Sequence, residues 1–193
     1  MLSPLTHDDP VAIAAYRLIA RLGSGGMGTV YLARSAGGRT VALKTMHPGI
    51  ASDSASRTRF RLETDAARII GGHHGATVVD ADPLAETSWL ATEYVLGPPL
   101  DDAVSLSGPL PEASVRALGA ALAGALAQLH GSDVVHRDLK PSNVMVTAYG
   151  PKIIDFGIAR AAGDDRLTSA GAAAGAGASA GVRSTGIASM TTG

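Results

Sequence analysis

The sequence predicts an α+β chain in two parts, a small antiparallel sheet carrying one helix and then a mainly helical part. Short runs rich in Val, Leu, Thr and Tyr occupy the front of the chain and are separated by glycine-rich turns. A helix-period apolar stripe fills residues 54–70, between two groups of these runs. A longer helical stripe fills residues 111–130, and polar clusters on short strand-like segments follow it.

Taken in order, residues 1–15 read as a polar lead-in ending in Val11-Ala12-Ile13-Ala14. Tyr16 to Ile19 and Val30 to Arg34 have strand character, with a glycine-rich loop between them. Gly37-Gly38 turns the chain into a third antiparallel strand, Thr40 to Lys44. A helix from about Ser54 to Ile70 is stopped by Gly71-Gly72. Val78-Val79 and Trp89 to Tyr94 add two strands, so residues 16–96 make a five-stranded sheet plus one helix. Gly97-Pro98-Pro99 punctuates a chain crossing into a second part, residues 97–163. There Val115, Leu118, Leu122, Leu126 and Leu129 recur at helical spacing with Ala on much of the other face, as in a buried helix. Residues 164–193 form a low-complexity tail whose stretch 170–181 is only Ala, Gly and Ser. Such a segment buries too little surface to offset its ordering entropy and is predicted to be disordered.

Composition excludes several functions. A net charge of -1 gives no general attraction to nucleic acid or anionic membrane. The absence of cysteine removes disulfides and thiolate chemistry and fits a reducing compartment. The first ten residues have no basic segment followed by an apolar core, and no apolar run reaches the roughly 18 residues of a membrane span. The expectation is a soluble, cytoplasmic protein with no nucleic-acid partner. Only three lysines stand against thirteen arginines. Two of them, Lys44 and Lys140, lie in polar clusters, where a compact ammonium is wanted rather than a planar fork.

The glycine loop, Leu22-Gly23-Ser24-Gly25-Gly26-Met27-Gly28-Thr29-Val30, suits a polyphosphate, because Gly23, Gly25 and Gly28 let backbone N–H groups approach without Cβ clashes. Leu22 and Val30 would cover an apolar base. A dinucleotide-binding turn is disfavoured, since a strand rather than a helix follows the glycines. On the 54–70 helix, Phe60, Glu63, Ala67 and Ile70 share one face, so Glu63 interrupts an apolar stripe. A carboxylate aimed at a core needs a cation, and Lys44 is the natural partner. Asp65 lies off that stripe.

Four motifs in order, the glycine loop, Val41-Ala42-Leu43-Lys44, His136-Arg137-Asp138-Leu139-Lys140-Pro141-Ser142-Asn143 and Asp155-Phe156-Gly157, resemble the protein-kinase signature set over roughly Tyr16 to Arg160. The chain is most similar to bacterial eukaryotic-type serine/threonine protein kinases. The resemblance implies a protein-kinase-like bilobal fold, ATP and Mg²⁺ as cofactors, and a protein substrate offering Ser or Thr. It implies nucleotide contacts from Leu22, Gly23, Ser24, Gly25, Gly26, Met27, Gly28, Thr29, Val30, Ala42, Lys44, Glu93, Val95 and Met145, with Thr92 as gatekeeper. Catalytic roles fall to Lys44, Glu63, Asp138 as proton acceptor and Lys140 at the γ-phosphate, and metal binding to Asn143 and Asp155. His73-His74, in a Gly-flanked loop, reads as a solvated turn rather than a metal site. Asp101-Asp102 reads as ribose-facing or as helix-start acids.

After Gly157 no Ala-Pro-Glu and no helix-capable segment follows, so only the first part of a helical lobe is expected. Thr168, Ser169, Ser184 and Thr185 are the available phosphoacceptors. Two readings follow: a kinase with Asp138 as base, or a non-catalytic truncated or frameshifted remnant that at most binds nucleotide, with the frame change near Ala174.

Overall fold

Short turns between alternating strands build the first sheet. The computed structural model describes residues 2–155; Phe156, Gly157, the four phosphoacceptor candidates and the low-complexity tail lie outside the described residues. Strands β1 (Ala12–Ile13), β2 (Tyr16–Gly25), β3 (Gly28–Ser35), β4 (Thr40–Met46), β5 (Val78–Asp82) and β6 (Trp89–Glu93) form one antiparallel sheet in the order β1-β2-β3-β4-β6-β5. Between β4 and β5 lie a short helix α1 (Pro48–Ala51) and the long helix α2 (Ser54–Ile70). The chain continues with α3 (Leu100–Ser107), α4 (Glu112–His130) and a two-stranded sheet of β7 (Val144–Thr147) and β8 (Gly150–Ile153).

Period-2 alternation sorts the sheet into two faces. Tyr31, Ala33, Val41, Leu43 and Ala91 are buried with Tyr16, Leu18 and Trp89 on one side, where the Tyr16 and Trp89 rings stand 5.6 Å apart. The intervening residues face the other way. In register, Val30 opposes Lys44 and Lys44 opposes Leu90, while Leu32 opposes Ala42 and Ala42 opposes Thr92. Of these, Val30, Lys44, Leu90, Ala42 and Thr92 line a cleft.

Helix α2 spans the residues expected of it. Asp53 caps it by accepting from the Ser56 N–H at 2.8 Å, and its inner face buries Phe60, Glu63, Ala67 and Ile70. Ile70, Leu90, Leu129 and Ile153 share a second core, so α2, the sheet, α4 and β8 are joined by one apolar cluster.

Three features differ from the sequence expectation. The sheet has a sixth strand, because Ala14 takes a left-handed φ of 49° and reverses the lead-in, pairing Ala12–Ile13 with Arg17 and Tyr16. A helix, α3, follows the Pro98-Pro99 punctuation. Helix α4 is not buried all round: its buried residues are Ala125 and Leu129, and Val115 is 50% exposed. The described residues pack against α4 along one line, from α2 and β8, and its many alanines present little side chain elsewhere.

Candidate active site

The glycine loop is the hairpin joining β2 to β3, and two different physical demands act on its glycines. A Cβ at Gly23, Gly25 or Gly26 would have nothing within 4 Å, so the space under the loop is open. A Cβ at Gly28 would lie 1.8 Å from the Thr45 carbonyl oxygen, so that glycine is required by strand packing as well. The Ser24 and Thr29 hydroxyls are 3.2 Å apart and form a rung across the hairpin. His47 steadies its tip: the ring Nε2 lies 2.9 Å from the Gly25 carbonyl oxygen, and the His47 N–H donates to the Met27 carbonyl.

Beneath the sheet lies a cleft of about 340 Å³. Leu22, Gly23, Val30, Ala42, Thr92, Glu93, Tyr94, Val95 and Met145 line it, with Lys44, Glu63 and Asp155 at its inner end. Ser24, Gly25, Gly26, Met27 and Gly28 line a second space under the hairpin, which shares Gly23, Val30, Lys44 and Asp155 with the first. An apolar slot therefore opens directly onto a backbone-lined one, with a lysine at the junction. Thr29 is buried in the hairpin and lines neither space.

Three elements meet at that junction. Strand β4 supplies Lys44, α2 supplies Glu63, and the residue two beyond β8 is Asp155. The Lys44 ammonium is paired with Glu63 and donates to Asp155 at 2.9 Å. Glu63 is only 2% exposed, and its Oε2 has no hydrogen-bond partner. Burial, helped by the Asp155 charge, pushes the Glu63 carboxyl up to about 7 against the pull of Lys44. For Lys44 burial acts downward, but the Glu63 and Asp155 charges outweigh it and hold the ammonium above its usual range. Burial acts upward on Asp155 and Lys44 outweighs it, so that carboxylate stays below its usual range. One ammonium thus serves two carboxylates, and the deficit falls on the more deeply buried one.

The residues of the loop between α4 and β7 form a second group. The Lys140 ammonium lies 2.8 Å from the Asp138 carboxylate, and Asn143 Nδ2 donates to the Asp138 main-chain oxygen at 3.0 Å and to its carboxylate at 3.3 Å. Arg137 adopts a left-handed φ of 59°, and the Asp138 N–H closes on the His136 carbonyl at 2.8 Å, making a tight turn that turns Asp138 away from the preceding chain. His136 is buried, and burial lowers its pKa. The Ile154 N–H donates to the Asn143 carbonyl at 3.1 Å, which ties this loop to the residue before Asp155. Asp138, Lys140 and Asn143 do not line either space under the sheet.

Sequence reasoning missed two contributors. Leu2, from the lead-in, lines the apolar slot. Lys152 of β8 pairs with Glu93, whose carboxylate also accepts from the Thr77 N–H at 3.1 Å and hydroxyl at 3.2 Å. The side chain of Glu93 is therefore a strut between the sheet and the β7–β8 hairpin, while its N–H donates to the Thr77 carbonyl. The scarcity of lysine was the available signal, since Lys152 is the third of three. His73 and His74 stack edge to face, and no group of three His, Cys, Asp or Glu able to hold a metal occurs among the described residues. Asp101 and Asp102 lie in the first turn of α3, as helix-start acids do. No helix among the described residues is long and apolar enough to cross a membrane.

A glycine hairpin over a lysine held by a helix glutamate, with an aspartate arriving from a second sheet, is the arrangement of a phosphoryl-transfer fold. The protein kinase domain family model matches residues 16–174, and the chain belongs to that family. It is 51% identical over 175 residues to the serine/threonine-protein kinase AfsK of Streptomyces griseus and 49% identical over 175 residues to the probable serine/threonine-protein kinase PkwA of Thermomonospora curvata. Each alignment covers 91% of this chain, but the chain spans only 22% and 24% of those relatives' lengths. Among solved structures, the kinase domain of Mycobacterium tuberculosis PknI (C20A mutant) superposes with a TM-score of 0.68 at 33% identity, covering 86% of this chain and 69% of that one.

Proposed function

We propose that this chain carries the nucleotide site and catalytic loop of a serine/threonine protein kinase that transfers the γ-phosphoryl group of ATP to a Ser or Thr hydroxyl of a protein. The observation that carries the reading is Lys44, held between Glu63 and Asp155 where the apolar slot meets the glycine hairpin. The residues fit Mg·ATP. Leu22, Val30, Ala42 and Met145 offer apolar walls to a base, and the open hairpin at Gly23, Gly25 and Gly26 leaves room for phosphates against backbone. Lys44 neutralises phosphate charge, and the Asp155 carboxylate with the Asn143 amide oxygen is the hard oxygen set that Mg²⁺ accepts alongside phosphate and water. When bound, Mg·ATP supplies the phosphoryl group and a metal charge that offsets the leaving phosphates. Glu63 keeps Lys44 in place, Asp138 takes the proton of the attacking hydroxyl, and Lys140 balances charge beside it.

A second reading, nucleotide binding without transfer, is favoured by one observation: the Asp138 carboxylate is engaged by Lys140 and Asn143 and lies outside the lining of the cleft. Two measurements separate the readings. Mg·ATP at 100 times its Kd should raise stability by about 2.7 kcal/mol, roughly 5–11 °C for a chain of this size. At the same concentration the rise should shrink to about 0.4–1.4 kcal/mol in Lys44→Ala and be clearly reduced in Asp155→Ala. Labelled γ-phosphate should enter a protein acceptor with the native chain and not with Asp138→Asn. A thermal rise without incorporation establishes binding alone; no rise refutes the nucleotide site.

A further inference from the structure

Residues 2–9 do not trail away from the sheet. Ser3 and Arg21 exchange both backbone hydrogen bonds, at 2.9 and 2.8 Å, so the lead-in runs beside β2 immediately before Leu22. Asp9, whose side chain is 2% exposed, locks it there. The Asp9 carboxylate accepts from Arg21 Nε and Nη2 at 2.7 Å each, from the Tyr31 hydroxyl at 2.7 Å and from the Thr6 N–H at 2.7 Å. Arg21 also donates to the Thr6 hydroxyl at 3.0 Å, and Leu5 packs on the outer core of the sheet. A buried carboxylate that accepts from five donors, the Thr6 hydroxyl at 3.1 Å included and two of them from one guanidinium fork, is a rigid anchor. Its consequence is the position of Leu2, which lines the apolar slot beside Leu22 while remaining 53% exposed. An exposed leucine lining an apolar slot is surface that an occupant of the slot would cover.

We propose that residues 2–9 are a strap that completes the nucleotide site, with Leu2 as a direct contact for the base or ribose and Asp9 and Arg21 as positioning residues that act through it. The proposal rests on the nucleotide-binding reading above. It deepens that reading by adding a wall that the four sequence motifs do not contain. Tyr31 links strap and sheet, since the β3 strand that carries it also carries Val30 in the slot.

The test is calorimetric titration of the full chain with Mg·ADP, together with melting in its absence. Leu2→Ala should weaken binding by about three- to tenfold, the loss of one or two covered methylenes, while leaving the nucleotide-free melting temperature unchanged. Leu2→Met should restore affinity to within about twofold, because Met supplies equivalent apolar contact. Asp9→Asn should weaken binding as Leu2→Ala does and also lower the melting temperature. If the native chain binds Mg·ADP and both Leu2→Ala and Asp9→Asn bind equally well, the strap is refuted and the nucleotide site stands. If the native chain binds no Mg·ADP while melting cooperatively, the nucleotide reading falls and the strap with it.

Discussion

Alanine at Gly28 and alanine at Gly25 should have opposite consequences although both glycines belong to one loop. At Gly28 the new Cβ would meet the Thr45 carbonyl oxygen at 1.8 Å and its carbon at 2.8 Å, both of them backbone atoms. Reaching a tolerable 3.0 Å requires β3 and β4 to part by roughly 1.2 Å at a point where the ladder pairs Gly28 with Met46. Overpacking of this kind costs about 1–3 kcal/mol, and the loss of a ladder hydrogen bond about 1 kcal/mol more. Taking about 3 kcal/mol, the melting temperature of Gly28→Ala should fall by roughly 6–12 °C. At Gly25 nothing lies within 4 Å of the added Cβ, so the change should stay within about 0.5 kcal/mol, or about 2 °C. The same Cβ projects from a loop lining the proposed phosphate space, so Mg·ADP should bind Gly25→Ala more weakly. Thermal unfolding by circular dichroism and nucleotide titration read both quantities. Equal melting of Gly28→Ala and the native chain, or a large fall for Gly25→Ala, would refute this division of the loop.

Lys44→Ala should weaken Mg·ADP binding by about 10–100-fold, the equivalent of one charged hydrogen bond of about 1.5–3 kcal/mol, and titration calorimetry reads it directly. Glu63 sets a pH dependence: its folded pKa, pushed up to about 7, exceeds the ordinary 4.5, so its contribution is fully present below about pH 4.5 and is lost as pH rises through about 7. His136, lowered by burial, acts oppositely in part of that window, losing stability as pH falls below its usual 6.5. The difference in melting temperature between the native chain and Glu63→Gln, scanned from pH 4.5 to 8, should therefore drift against the native chain as pH rises, and a flat difference would contradict the raised carboxyl. A double-mutant cycle on Glu93→Gln and Lys152→Ala should give a coupling of about 1 kcal/mol in chemical denaturation, since both side chains are less than a third exposed.

The parts of this chain that follow from periodicity were legible and the parts that follow from pairing were not. Helix α2 could be read from the spacing of Phe60, Glu63, Ala67 and Ile70, and that same spacing pointed Glu63 at Lys44, because an apolar stripe tolerates a carboxylate only with a counter-charge. The strands around the glycine loop were legible from their residue types and turns, whereas the register that sets Val30 opposite Lys44 and Ala42 opposite Thr92 came only with the fold. Asp9 was hidden for a physical reason. In sequence a Thr, an Asp and a Pro look like a solvated lead-in, and only the fold brings Arg21 and Tyr31 to the carboxylate that makes it a buried anchor. The Glu93–Lys152 strut joins residues 59 apart with no periodicity to announce them. Helix α4 was misread in its degree of burial because leucine spacing reports which face is apolar, not whether something covers it.

The use of lysine and arginine in this structure follows from the shape of each cation rather than from its charge. All three lysines touch carboxylates of the cleft or its supports: Lys44 with Glu63 and Asp155, Lys140 with Asp138, Lys152 with Glu93. Arg21, by contrast, takes a single carboxylate with two parallel donors at the strap. A guanidinium fork holds one planar partner rigidly, which suits an anchor. An ammonium is a compact charge with three rotatable donors, and only such a group can stand between two carboxylates that come from different elements and still turn toward a third anion. The Lys44 position is of that kind: β4, α2 and the segment after β8 each bring one charge to it, so the cation that joins the elements in the absence of nucleotide is the same one the proposed phosphates would engage. Replacing it by arginine would keep the charge and lose the geometry, because the fork would satisfy one carboxylate and leave the other, at Glu63 a 2% exposed one, without its counter-charge.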